Sequence, residues 1–394
     1  MPSIAPVVRN RVDGCPGALT VHEAADGGLA RIRLPAGALS AVQLATLAAT
    51  ALELGDGQLG LTSRGNLEIR GLADGSQFEL GERLAAAGLL PSATHERVRN
   101  IVASPLSGID GVGTDVSEHA AALDRELCAR PWLAELPGRF FFALDDGRGD
   151  VARLGADVTM SAQGSRAVVG PFDIAVGDAV ATMLTLAEAF LSLRTQQRSR
   201  AWRIAELAGG TAAVAAHARR SLGFAVATSV SAASVSAATP ARAPDEPVGV
   251  QPQPDGRHAL ITLAPLGRLD QRQAEALASL AGPRGLRVTP WRSVVVPDLA
   301  DAQIAQTAAR QAGLGVDASS PWYRLSACTG SPGCAKSFAD VRADARAEAV
   351  AVTQGAGRWP GRRVRWSGCE RRCGRPKDTE VDVVAASEGY AVSE

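Results

Sequence analysis

Cys328, Cys334, Cys369 and Cys373 stand apart from the rest of the chain by their spacing. Five residues separate the first pair, three separate the second, and 34 lie between the pairs. Two close-set pairs of thiolates are ligand chemistry, for zinc or for iron–sulfur. Structural zinc pairs sit two to four residues apart on tight knuckles. The gap filled by Thr329, Gly330, Ser331, Pro332 and Gly333 is loose for a knuckle and suits a loop around a larger cubane. The spacing therefore predicts one [4Fe–4S] cluster, with zinc or plain thiols as the alternatives. A helix is expected from Ala335 to about Val352, its positive end turned towards the site. The second pair, between Ser367 and Pro376, again has short residues and positive charge nearby.

Other candidates are weaker. Cys15 and Cys128 are isolated, and Cys15 reads as a buried thiol. His95 and Glu96 are conceivable iron ligands, but a structural histidine is the commoner outcome; His22 has similar standing, and His217 sits on a plain helical stretch. Gly55–Gly60 spells G-x-G-x-x-G, yet a helix precedes it and strands follow, the reverse of a dinucleotide fingerprint. Acidic and basic residues balance at 41 each, so charge favours no nucleic-acid partner. Lys336 and Lys377 are the lysines; the other basic residues are arginines, forks suited to carboxylates. No stretch reads as a membrane span, the first ten residues lack a secretory apolar core, and a cytoplasmic protein is expected.

The elements that position these residues come in two similar sets. Leu29–Pro35, a helix from Ser40 to about Leu54, strands near Leu59–Thr62 and Asn66–Arg70, and a helix from Gln77 to Ala87 form the first. His258–Leu263, Gln271–Ala281, Leu286–Thr289, Ser293–Val296 and Ala302–Ala312 repeat that order. The sequences Leu-Ala-Asp (72–74 and 299–301), Ala-Gly-Leu (87–89 and 312–314) and Pro-Gly-Arg (137–139 and 360–362) recur at offsets between 223 and 227. We read an internal duplication of a ferredoxin-like split unit. Asp178–Leu193 and Ala201–Ser221 read as helices, the second interrupted at Gly209 and Gly210. The Ser/Ala/Pro-rich stretch 225–256 reads as a linker. The first-half counterpart of the cysteine region, Arg99 to Gly108, has no cysteine, so one cluster per chain is expected.

This pattern resembles the siroheme-dependent sulfite and nitrite reductase superfamily. The shared features are C-x5-C and C-x3-C; Thr62, Arg64, Asn66 and Glu68 against T-x-R-x-N-x-Q; Arg99, Asn100 and Pro105; and Leu136, Pro137, Arg139 and Phe141 against L-P-x-K-x-K. The resemblance implies an α+β, internally duplicated fold: two ferredoxin-like half-repeats plus two α/β lobes, one carrying the cluster. The expected division is 1–90, first half-repeat; 91–224, cluster-free lobe; 225–256, linker; 257–314, second half-repeat; 315–394, cluster lobe. It also implies that Cys373 matches the cysteine that bridges cluster and siroheme.

Two departures bear on the reaction. Phe141 replaces a lysine that the reductases use on their oxyanion, and Glu68 replaces a glutamine. An apolar ring neither neutralises sulfite or nitrite nor delivers protons. Gly14–Leu19, Leu61–Asn66, Ala327–Lys336 and Ser367–Gly374 instead resemble the precorrin-3B synthases. That resemblance implies O2-dependent hydroxylation of precorrin-3A at C-20 with γ-lactone formation, in aerobic cobalamin biosynthesis. It also implies a mononuclear non-haem iron beside the cluster, and electrons from a ferredoxin or an NAD(P)H-dependent reductase. Arg64, Asn66, Arg99, Asn100, Arg139 and Arg362 are the expected tetrapyrrole-binding residues. A siroheme sulfite or nitrite reductase is the alternative, and an iron–sulfur electron-transfer protein is the alternative outside enzymes.

Overall fold

A computed structural model of the chain describes residue 9, residues 13–222 and residues 247–394. Most of the stretch expected as a linker lies outside the described residues; its end, Gly249–Pro252, is a strand.

In chain order the first half-repeat holds β1 (His22–Ala24), β2 (Gly27–Ile32), β3 (Ala38–Leu39), α1 (Ala41–Leu54), β4 (Gln58–Leu61), β5 (Leu67–Leu72) and α2 (Ser76–Ala86). The first lobe follows with β6 (Ile101–Ala103), α3 (Ser117–Cys128), β7 (Phe142–Asp145), β8 (Val158–Gln163), β9 (Arg166–Val169), β10 (Phe172–Ala175), α4 (Ala179–Gln196) and α5 (Gly210–Ser221). The second half-repeat has β11 (Gly249–Pro252), β12 (His258–Leu263), β13 (Arg268–Asp270), α6 (Gln271–Leu280), β14 (Leu286–Val288), β15 (Ser293–Leu299) and α7 (Ala302–Gln311). The second lobe has β16 (Leu325–Ala327), α8 (Val341–Thr353), β17 (Val364–Ser367), β18 (Val381–Ala386) and β19 (Gly389–Ser393).

The half-repeats exchange strands. One sheet runs β1-β2-β5-β4-β13 and the other β11-β12-β15-β14-β3, so each takes its last strand from the other half. Pro35-Ala-Gly37 and Pro265-Leu-Gly267 make the same kinked turn before the donated strand. Ser40 and Asp270 then open α1 and α6 with matching capping boxes. The apolar faces of both sheets and their helices merge in one core, from Ile32, Leu47 and Ile69 to Leu260, Leu277 and Val296.

The lobes repeat too. Parallel strands β6-β7-β8 match β16-β17-β18, each followed by an antiparallel strand. Helix α4 fills the first lobe's core with Met183, Leu186 and Phe190. Val176–Gln196 is long and apolar enough to cross a membrane by length and composition, which corrects the reading that no stretch is; half of that window is buried inside the lobe. The expected helix over 201–221 starts only at Gly210, after a short 3-10 turn at Ile204–Glu206.

A candidate redox site in an arginine-lined cleft

The cysteines lie where parallel strands end. Cys328 follows β16 directly and Cys369 stands two residues past β17, at the carboxyl edge where open α/β sheets bind ligands. Two loops are tied together there, the one after β16 and the one after β17. Gly368 N donates to Cys328 Sγ at 3.1 Å, Ser337 N donates to Cys334 O at 3.0 Å, and Phe338 N donates to Gly368 O at 2.9 Å. A Cβ at Gly368 would collide with Ser337 Oγ, so only glycine fits between the two cysteine loops. All four thiols are free; Cys373 is exposed and the others are half-buried.

No helix opens at Cys334. Residues 334–340 are turns, and α8 begins at Val341, capped by Asp340 through the amides of Arg342 and Ala343. The helix-end field expected over the site is thus displaced by six residues, from Ala335 to Val341, and faces a carboxylate.

Strand alternation builds the floor of the site. Val364 and Trp366 of β17 turn into the lobe core. Arg365 and Ser367 turn the other way and are fully buried. Asp382, in register with Arg365 on β18, is buried on that face as well. Arg365 Nε and Nη1, Ser367 Oγ and Asp382 Oδ1 make no hydrogen bond within the protein. Buried polar atoms are normally satisfied, so these four, on the strand face that leads to the cysteine loops, are available to a bound group. The donor set fits a four-thiolate iron–sulfur group, with small residues on the approach and a buried cation beneath.

The same alternation sorts the first sheet of the half-repeats into two faces. Ala30, Ile32, Leu67, Ile69, Leu59 and Leu269 point into the core. Between them, Arg31, Arg33, Glu68, Arg70 and Arg268 occupy the opposite face of the first sheet. Arg70 pairs with Asp26 at 2.8 Å and donates to Gly333 O at 2.8 Å, which seats the first cysteine loop on that sheet. Glu68 pairs with Arg31 at 3.1 Å.

Charge crowding is pronounced. Burial and then Arg203 push Arg64 down to about 10, and Arg33 adds to the repulsion. Burial, then Arg268, Arg292 and Arg346, push Arg342 down to about 9, with Glu68 acting against them. Arg365 is held at about 10, first by burial and then by Arg292. Arg33 is lowered chiefly by burial, with Cys15 opposing, and its guanidinium lies 3.4 Å from Cys15 Sγ. Phe141 is buried and carries the Arg64 guanidinium 4.4 Å and that of Arg203 5.1 Å from its ring centroid. This wall of partly desolvated guanidiniums is suited to a ligand with several carboxylates.

The predicted binding residues divide. Arg64 belongs to the wall. Arg99 is buried in a bidentate pair with Asp124 at 2.7 Å and also donates to Leu89 O, so it is committed to the fold. Asn66 bridges Leu34 N and Asn100, and Asn100 donates to the carbonyls of Gly138 and Phe140; both hold loops together. Arg139 is more than half exposed, beside Asp13 and over Trp202. Arg362 lies at the amino end of β17, away from the cysteines, paired with Glu394 at 2.6 Å. His95 is saturated by Ser92, Thr94 and the Arg130 carbonyl, and Glu96 by the amides of Leu19 and Thr20 and the Thr20 hydroxyl. Neither fits as an iron ligand. Among the described residues the group of three close ligand atoms is Asp145, Asp146 and Asp150, with no histidine, so no preformed facial triad is found there.

Comparison with known proteins agrees with this architecture. The nitrite/sulfite reductase ferredoxin-like half domain matches residues 22–87 and again 250–311. The chain has a duplicated nitrite/sulfite reductase-like fold. A precorrin-3B synthase from a Sinorhizobium species is 27% identical, covering 98% of this chain and 83% of the relative. A ferredoxin–nitrite reductase from Synechococcus elongatus is 28% identical, over 91% of this chain and 76% of the relative. The solved NirA protein of Mycobacterium tuberculosis superposes with a TM-score of 0.72 at 21% identity, covering 93% of this chain and 73% of its own. Each half-domain match falls on one of the two half-repeats.

Proposed function

We propose that the protein is an oxygenase of precorrin-3A, introducing one oxygen atom at C-20 as the ring-A acetate closes a γ-lactone. The second atom of O2 leaves as water, with two electrons and two protons from an external donor, a ferredoxin or an NAD(P)H-dependent reductase. Cys328, Cys334, Cys369 and Cys373 would hold a [4Fe–4S] cluster, which supplies one-electron transfer when bound. The remaining work falls to the chain itself. Arg64 and Arg342, neither paired with a carboxylate among the described residues, meet the acid side chains of the macrocycle and fix its orientation, while Arg31 and Arg268 are held by Glu68 and Asp56.

The carrying observation is Phe141. A reductase of sulfite or nitrite needs a cation and a proton source at that position, and here a buried ring lies flat beneath Arg64 and Arg203. A buried ring gives no proton to an oxyanion; it holds the Arg64 and Arg203 guanidiniums by cation–π contact instead. With Arg139 turned to solvent, the pair that would serve an oxyanion is gone. Absorption spectroscopy of protein purified without oxygen separates the two readings. Broad iron–sulfur absorption alone supports the oxygenase; a siroheme Soret and red band would overturn it.

A further inference from the structure

Arg365 is the most deeply buried charged side chain in the second lobe, with 1% of its surface exposed. β17 is the middle strand between β16 and β18, and its alternation turns this guanidinium away from the Val364 and Trp366 core towards the cysteine loops. One nitrogen, Nη2, donates to the carbonyl of Cys373, the last of the four cysteines. Nε and Nη1 are buried and bond to nothing in the protein. The carboxylate in register, Asp382, is instead engaged by Arg375. A planar fork with one arm fixed to a ligand loop and two donors left over is aimed, not mobile.

We infer that Arg365 sets the reduction potential of the group held by the four cysteines, donating to it from Nε and Nη1 while anchoring the Cys373 loop through Nη2. The inference rests on the iron–sulfur reading above. The physical reason is simple. Taking up an electron makes an iron–sulfur cluster more negative, and a fixed cation in a buried, low-dielectric position favours that state. Hydrogen bonds to the cluster sulfurs act in the same direction. A guanidinium keeps its charge across the working pH range, so the field is constant. Arg365 is therefore a positioning and potential-setting residue rather than a catalytic one.

The test uses the full chain, reconstituted without oxygen with iron and sulfide, and reads metal content, circular dichroism and an EPR-monitored redox titration. R365Q is expected to load and to have its midpoint moved negative by at least about tenfold in the reduction equilibrium, or ~59 mV for one electron. R365K keeps the charge but loses the fork, and its shift is expected to be smaller. Loading of R365K but not R365Q also supports the inference, because charge is then what the site requires. An unchanged or more positive midpoint in R365Q overturns it, as does failure of both variants to load. A wild-type chain that takes up no iron and sulfide would instead bring down the cluster reading itself.

Discussion

At the scale of single residues, the arginines sort by what they already hold. Arg99 is closed in its pair with Asp124, so Arg99→Ala leaves a half-buried carboxylate without its partner. That loss is expected to lower unfolding free energy by about 1.5–3 kcal/mol, read by urea denaturation. Arg342 behaves in the opposite way. Its folded-state pKa of about 9 lies below its ordinary value, so the fold disfavours its charge. That penalty is fully present below about pH 9 and fades as the proton is lost above it. Arg342→Met is therefore expected to raise the melting temperature of the ligand-free chain while weakening binding of a tetrapyrrole polycarboxylate about 10- to 100-fold, the worth of one charge-assisted contact. Unchanged binding in Arg342→Met would show that this guanidinium does not meet its acids. Sequence motifs pointed to Arg64, Arg99 and Arg362 alike, because a motif does not record its partners. Asp124 and Glu394 are 25 and 32 residues away and became visible only in the fold. Arg31 and Arg33 were within reach of sequence reasoning: they alternate with Ala30 and Ile32, and a strand with an apolar inner face puts both on one outer face.

At the scale of elements, the strand exchange carries the architecture. Gly37 has φ +68°, and a Cβ there would run into the backbone carbonyl of Val288, in the very strand that receives β3. Gly267 holds the equivalent place with φ +73°, but its Cβ would meet only the Arg292 side chain, at 2.6 Å. Gly37→Ala is thus expected to cost more stability than Gly267→Ala, which pays about 1 kcal/mol for the backbone conformation alone. Urea denaturation of the two variants compares them directly. Gly267→Ala should also displace Arg292 and weaken polycarboxylate binding. Helix and strand periodicity located ten of the fourteen elements of the half-repeats, those with clean apolar faces; the short sheet-edge strands β1, β3, β11 and β13 carry too few residues to show a period and were missed. The start of α8 was missed because Ala335–Ala339 has helix-forming composition while the chain there is tied by Ser331 N to Ala339 O and Phe338 N to Gly368 O. Tertiary bonds to the facing loop outweigh local propensity at that point.

At the scale of the whole molecule, the site is a joint property of both halves. The second lobe supplies the thiols and Arg365; the first half-repeat supplies the charged sheet face and the Arg70 anchor on Gly333. A chain reduced to residues 247–394 would keep every cysteine of the quartet but lose β3, β4 and that anchor. It is expected to hold far less iron and sulfide than the full chain under the same reconstitution. The duplication was legible from recurring tripeptides at a steady offset. The exchange was not, because nothing local distinguishes a strand that pairs within its own half from one that crosses. The central claim is that this shared cleft oxygenates a tetrapyrrole beside an iron–sulfur cluster. Incubating the anaerobically reconstituted chain with precorrin-3A, a reductant and O2, and weighing the product by mass spectrometry, addresses it most directly. The account predicts a gain of one oxygen atom, abolished in Cys373→Ser. Unmodified precorrin-3A from protein with its full complement of iron and sulfide would contradict it.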